Sequence, residues 1–390
     1  MNTRHHVKFY PVGNGDTSQI ILHNGRRVLF DFCHRDKAEE ADTPEIDLKA
    51  SLRAELKAVD RDYFDVVAFT HADNDHIQGS TEFFELQHAK IYQGEGRIKI
   101  RELWVPAAML LEEADRDHQQ EEFVLLRQEA RHRLLAGKDI LVFSQPQAVM
   151  DWLEPLLKER GELATARDHL FIDAGNLVPG FTLDDDGVEF FCHSPFIKHC
   201  DDGDIIRNRA SLVLNVRFWA DGAHYDYLEV GDATWEELED IVRISKYNNN
   251  EDRLAWDLYN IPHHCSYLAL NEDGQKGDRE TEPKPLVKEL LLLGKRDAYI
   301  VSCSKPISDV RESYEQTQPP HIQARKAYER YLKVVNGRRF LVTMEEPNAY
   351  KPEPIEFEVT RGGVTWTRSR TMGAAAIISS TPPRAGWRAG

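Results

Sequence analysis

The stretch Thr70-His71-Ala72-Asp73-Asn74-Asp75-His76 constrains this chain more than any other, because four side chains able to ligate a metal fall within six positions. The apolar run before it, residues 65–70, reads as a short strand, and the pattern after it predicts a helix over 77–86. A loop leaving a strand and entering a helix aims its side chains into one cleft. Two imidazoles and two carboxylates then supply the nitrogen and oxygen donors that divalent cations take. The competing reading, a solvated polar loop, fits poorly directly after a buried strand.

The rest of the chain repeats that grammar. Strands are expected at 7–12, 18–22 and 27–32, the last two joined by Asn24-Gly25, which suits a tight hairpin turn. Further strands are expected at 188–193, 210–218, 225–230, 258–262, 298–302, 340–344 and 355–359, and helices at 46–59, 149–158, 235–245 and 322–334. Residues 94–180 read as a mostly helical insertion or cap within one domain spanning 1–370, and 371–390 as a flexible tail. Polar side chains recur where strands end, at Gly231-Asp232 and at Pro262-His263-His264-Cys265-Ser266.

Order along the chain gives these pieces a collective meaning. Val12-Gly13-Asn14-Gly15-Asp16-Thr17, Leu29-Phe30-Asp31, the 71–76 cluster, Ser211-Leu212-Val213-Leu214 after Asn208, Gly231-Asp232, the His263-His264 pair and Pro320-His321 follow one another over residues 7–345. In this series the chain resembles the metallo-β-lactamase superfamily, and within it the H-x-D-x-D-H variant of the hydrolase domain of ComEC-type competence proteins.

The resemblance implies an αββα sandwich of two mixed sheets flanked by helices. It also implies two divalent metal ions (zinc, manganese or magnesium) that activate a water. His71 and Asp73 would hold one ion, Asp75 and His76 the other, with Asp232 bridging. His193, after a strand, is weighed as a further ligand against a purely structural role. His263 completes the expected ligand set, although which of His263 and His264 ligates stays open. Asp75, His264 and His321 are the expected catalytic groups, the two histidines as proton donors. Cys265 stands where the family has glycine, so the backbone there must tolerate a Cβ.

Bulk properties narrow the function. A net charge of −17 cannot supply the counterion-release binding of a basic surface, so any nucleic acid would need a local groove, for which Arg97, Lys99, Arg101, Arg207 and Arg209 are candidates. Five scattered cysteines make a poor disulfide framework, and no apolar run approaches the roughly 20 residues that cross a bilayer, so a soluble cytoplasmic protein is expected. The leading expectation is a phosphodiesterase or nuclease acting on single-stranded DNA or another phosphodiester. The alternatives are a hydrolase of small cyclic nucleotides, phosphoesters, lactones or thioesters, and a non-catalytic binding module. Asp184-Asp185-Asp186 and Asp201-Asp202-Gly203-Asp204 read as solvated turns, and His5-His6 as surface.

Overall fold

A computed structural model describes residues 3–40, 42–94, 96–111, 121–198, 210–272 and 276–367. Two mixed sheets form its centre. In the first, β1 (His5–Phe9), β2 (Ser18–Ile21) and β3 (Arg27–Phe30) run antiparallel to one another, and β4 (Tyr63–Ala68), β5 (Lys99–Pro106), β6 (Ile140–Phe143) and β7 (Phe171–Ile172) continue parallel from β3. The second contains β8 (Val188–Ser194), β9 (Val213–Ala220), β10 (Ala223–Glu229), β11 (Trp256–Asn260), β12 (Gly294–Ser302) and β13 (Arg339–Val342), parallel from β10 onward. The hairpin β14 (Ile355–Thr360) and β15 (Gly363–Thr367) returns to pair with β1 in the first sheet.

Why the sheets stack follows from their burial. Phe9, Phe30, Trp104, Phe190, Leu214 and Phe357 fill the space between them. The parallel strands are apolar on both faces, as β4 (YFDVVA) and β6 (ILVF) show, so each sheet must also be covered outside. On the first, that cover is α1 (Leu48–Lys57), α2 (Asn74–Ile77), α3 (Ser80–Phe83), α4 (Ala108–Leu111), α5 (Glu121–Ala136) and α6 (Gln147–Glu159). On the second it is α7 (Trp235–Tyr247), α8 (Pro285–Leu292) and α9 (Ile322–Val334). Leu52 and Leu56, one turn apart on α1, are fully buried, each contributing roughly 2 kcal/mol. The result is the αββα sandwich that the resemblance implies.

Three local readings change. Residues 94–180 are helical in α4 to α6, but they also supply β5, β6 and β7, so this segment is a flank of the first sheet as well as its outer cover. The helix expected over 77–86 is broken at Gly79, whose φ is 80°, and a Cβ there would lie 2.8 Å from the His34 carbonyl. His5 is buried, its Nε2 3.2 Å from the Trp219 carbonyl, and burial lowers its pKa to about 4. Asp184 and Asp185 are exposed in a turn, as expected, but Asp186 is buried and accepts from Asn24 and Arg26, whereas 201–204, Arg207, Arg209 and the tail lie outside the described residues. No described helix is long and apolar enough to cross a membrane.

Candidate metal centre

Four strands deliver their following residues to one rim: β3 to Asp31, β4 to His71, β10 to Asp232 and β11 to His263. The rim is closed by backbone bonds, Leu212 N to Thr70 O at 2.8 Å between the sheets and His263 N to Gly231 O at 3.3 Å between the ends of β11 and β10. Gly231, at φ 51°, lets the chain pass Thr70, where a Cβ would sit 2.9 Å from its side chain. Immediately afterwards the backbone N–H and hydroxyl of Thr234 both donate to Glu237 at 2.8 Å, starting α7 and fixing Asp232 just ahead of it.

The imidazoles are held from behind. The Nδ1–H of His76 donates to Asp31 Oδ2 at 2.7 Å, and that of His264 to the Cys303 carbonyl at 2.8 Å. His71 Nδ1 lies 3.2 Å from the Thr70 hydroxyl, which in turn donates to Asp31 at 2.6 Å. Each ring therefore presents Nε2 forward, the arrangement by which outer carboxylates and carbonyls orient ligating histidines.

The forward atoms converge on Asp232. His71 Nε2 and His263 Nε2 each lie 3.8 Å from Asp232 Oδ2, whereas His76 Nε2 is 3.1 Å from Oδ1. Asp73 Oδ2 lies 3.8 Å from His71 Nε2. On the other side His264 Nε2 meets Asp75 at 3.0 Å, and Asp16 Oδ2 lies 3.6 Å from both His76 Nε2 and His264 Nδ1. Asp16, His76, Asp232 and His264 form one compact donor group, and His71, Asp75 and His76 another.

Asp16 Oδ1, His71 Nε2, His76 Nε2 and Asp232 Oδ1 are buried without a well-directed hydrogen bond. Orphaned donors of this kind are costly unless a cation or proton satisfies them. Neutral imidazole and carboxylate, all oriented inward, fit a divalent metal.

In the metal-free protein, protons take that place. Burial alone would lower His264, but Asp232, Asp75 and Asp16 raise it to about 9. His76 is likewise lifted well above its ordinary value against its burial, by Asp31 and Asp232. Asp232 is held well below the usual carboxylate range by His263, His76 and His264, despite burial. Asp16, by contrast, is raised by burial.

The expected site residues are not all brought together. His71, Asp73, Asp75, His76, Asp232 and His263 meet at the rim, and His264 joins them rather than standing apart. His193 does not. Its Nε2 lies 3.0 Å from the Arg253 carbonyl and its Nδ1 3.3 Å from the Ser245 hydroxyl, so both nitrogens are occupied, and burial lowers its pKa to about 4. His321 stands at the start of α9, stacked on Tyr267 with ring centroids 4.1 Å apart. Because the Tyr267 N–H donates to His321 Nδ1 at 3.3 Å, the neutral ring carries its hydrogen on Nε2. Burial lowers its pKa to about 4.

Asp16 and Asp31 are the residues that the expected site omitted. Their signals were the G-x-G-D turn and the Leu29-Phe30-Asp31 strand end, both present in the resemblance but without an assigned role. The 263–265 turn is also unusual: His263, His264 and Cys265 have φ of 52°, 50° and 66°, a conformation costly for each side chain. The His264 bond to Cys303 and that of His321 N to the Cys265 carbonyl at 3.0 Å hold it. Cys265 is buried and burial raises its thiol pKa, so it is not poised as a thiolate.

No family model matches this chain, and no curated protein does. Among solved structures, one that is similar is a new diphosphatase from the PhnP family, aligned over 92% of this chain and 99% of that one, with 12% sequence identity and a TM-score of 0.33. The chain itself is an αββα sandwich with a buried His/Asp cluster at its rim whose donors could hold metal ions.

Proposed function

We propose that the protein is a metal-dependent phosphoesterase whose centre would hold two divalent cations around Asp232. The observation that carries this reading is the split of imidazoles about that carboxylate, with His71 and His263 nearest Oδ2 and His76 nearest Oδ1. Cations held there supply Lewis acidity to the ester and lower the pKa of water. Asp16, Asp73, Asp75, His71, His76, His263 and His264 would hold them, and Asp31 would keep His76 in the ligating tautomer. The oxygen-rich set is compatible with manganese or magnesium as well as zinc. Burial keeps His321 neutral near pH 7, which speaks against its acting as an imidazolium acid.

Phosphodiesters, including single-stranded DNA, are the first substrates to try, but a small substrate is favoured by where the basic residues sit. Lys99 pairs in register with Tyr63, at the start of β4, so roughly 17 Å of strand at about 3.3 Å per residue precedes Ala68 and the rim. Lys99 is also bonded to Asp62 at 2.7 Å and Arg101 lies over the Tyr63 ring. Arg97 donates to the carbonyls of Thr81 and Phe84.

The test is hydrolysis of bis(4-nitrophenyl) phosphate and of labelled single- and double-stranded DNA with manganese, magnesium or zinc, alongside Asp73→Ala and Asp232→Ala. Metal-dependent turnover lost in both variants is expected. Bound metal with no turnover of any phosphoester would sink the reading.

A further inference from the structure

Two cavities flank the rim, and their charges differ. One, of about 480 Å³ beside Asn74 and Gln78, is lined by Asp36, Glu82, Glu121 and Glu122 as well as His34 and Arg97. The other, of about 350 Å³, is lined by Asn14, Lys305, Ser308, Ser313 and Gln316 with the Pro319-Pro320 segment, and no carboxylate is among its lining residues.

The second cavity is built onto the metal centre at three points. Asn14 stands two residues before Asp16, Lys305 two residues after Cys303, whose carbonyl holds His264, and Pro320 directly before His321. Asn14 ties them together, donating from Nδ2 to the Pro319 carbonyl at 2.7 Å and accepting the Lys305 N–H at 2.9 Å. The Lys305 side chain is exposed, and its ammonium makes no ion pair among the described residues. Acids near it are committed elsewhere: Asp309 binds Tyr314 at 2.6 Å and Lys326 at 3.0 Å, and Glu345 binds Arg325 at 3.1 Å and the Ile307 N–H at 2.8 Å.

We infer that this cavity is a subsite for a second phosphate group of the substrate, with Lys305 as its specificity-determining residue; the inference rests on the phosphoesterase reading. A lone cation on a flexible stem, with hydroxyls and side-chain amides around it, suits a phosphate as a point charge. The cavity lies at the small end of the range for small-molecule sites, which matches a fragment of a compact substrate.

The experiment uses the manganese-loaded protein and two esters with the same leaving group, thymidine 5′-(4-nitrophenyl phosphate) and its 3′-phosphorylated form. The second phosphate lowers KM about fivefold in the wild type, Lys305→Ala brings the two KM values together, and Lys305→Arg keeps them apart. Calorimetric binding of thymidine 3′,5′-bisphosphate and thymidine 5′-phosphate gives a readout independent of turnover, with the same preference expected. Wild-type protein that binds the two nucleotides equally or not at all, or a preference that survives in Lys305→Ala, overturns the subsite. If neither ester is cleaved, the phosphoesterase reading fails, and the binding comparison still decides for or against Lys305.

Discussion

Strands β10 and β11 each carry an aspartate within the strand and a candidate ligand just past their end, and the two pairs are treated in opposite ways. Asp226, midway along β10, and Asp257, near the start of β11, are joined by Lys295 at 2.7 Å to each, and Arg217 lies 2.8 Å from Asp226. Six residues further on come Asp232 and His263, where Asp16, Asp31 and Asp75 gather without a lysine or arginine among the ion-pair partners. The first cluster is complete, because permanent side-chain cations balance its carboxylates. The second is balanced only by imidazoles, whose charge depends on pH and vanishes when they ligate. A cluster of that kind remains responsive to what binds it.

The contrast is broken most sharply at Asp232. Replacing it by alanine should cost metal-dependent activity at least on the order of 10²-fold, beyond the 10–100-fold range of outer-shell losses, measured by steady-state turnover with metal content. Asp31→Ala should fall within that 10–100-fold range in metal affinity, because it frees His76 to turn without removing a ligand. Equal effects of the two would mean that Asp232 does not stand between the donors.

Protons sharpen the comparison next. His264 is raised from 6.5 to about 9, so the stability it contributes is full below about pH 6.5 and is lost as pH rises through about 9. Asp232 is depressed below 3.8, so its contribution is present above that value and lost on acidification. Chelated protein should therefore lose Tm steadily between pH 6.5 and 9, whereas loaded protein should not, and metal binding at neutral pH should release protons to buffer. A chelated protein whose Tm is flat over that window would show that imidazolium does not balance the centre.

Lys295→Met attacks the complete cluster instead. It should cost about 1–2 kcal/mol in urea unfolding, less than the loss of a fully buried pair because the Lys295 side chain is 35% exposed, and leave metal stoichiometry intact. The smallest effect belongs to Lys99→Ala, at the remote end of β5, which should change hydrolysis less than about twofold. A large loss there would restore the basic groove as a substrate path.

How much of this was legible beforehand differs residue by residue. The His71 to His76 loop announced itself because ligand types were packed into a single turn after an apolar strand. Asp232 and the His263-His264 pair were legible by the same rule, at strand ends. Helix 77–86 was misjudged because a single left-handed glycine outweighed an acceptable apolar pattern. His193 looked like a ligand for the same reason that Asp232 did, a polar residue at a strand end, yet its partners Arg253 and Ser245 lie more than fifty residues away.

By itself, then, the amino-acid order determined the strand ends and the metal-capable side chains gathered on them, because periodicity and residue type are local properties of the chain, whereas the kind of sandwich came from the resemblance of its ordered motifs. Only the tertiary structure decided that Asp16 and Asp31 belong to the centre, that His264 faces Asp75, and that His193 is already satisfied. An imidazole is a ligand or a structural residue according to which of its nitrogens is free, and that is settled by neighbours such as His264 and Asp75, 189 residues apart.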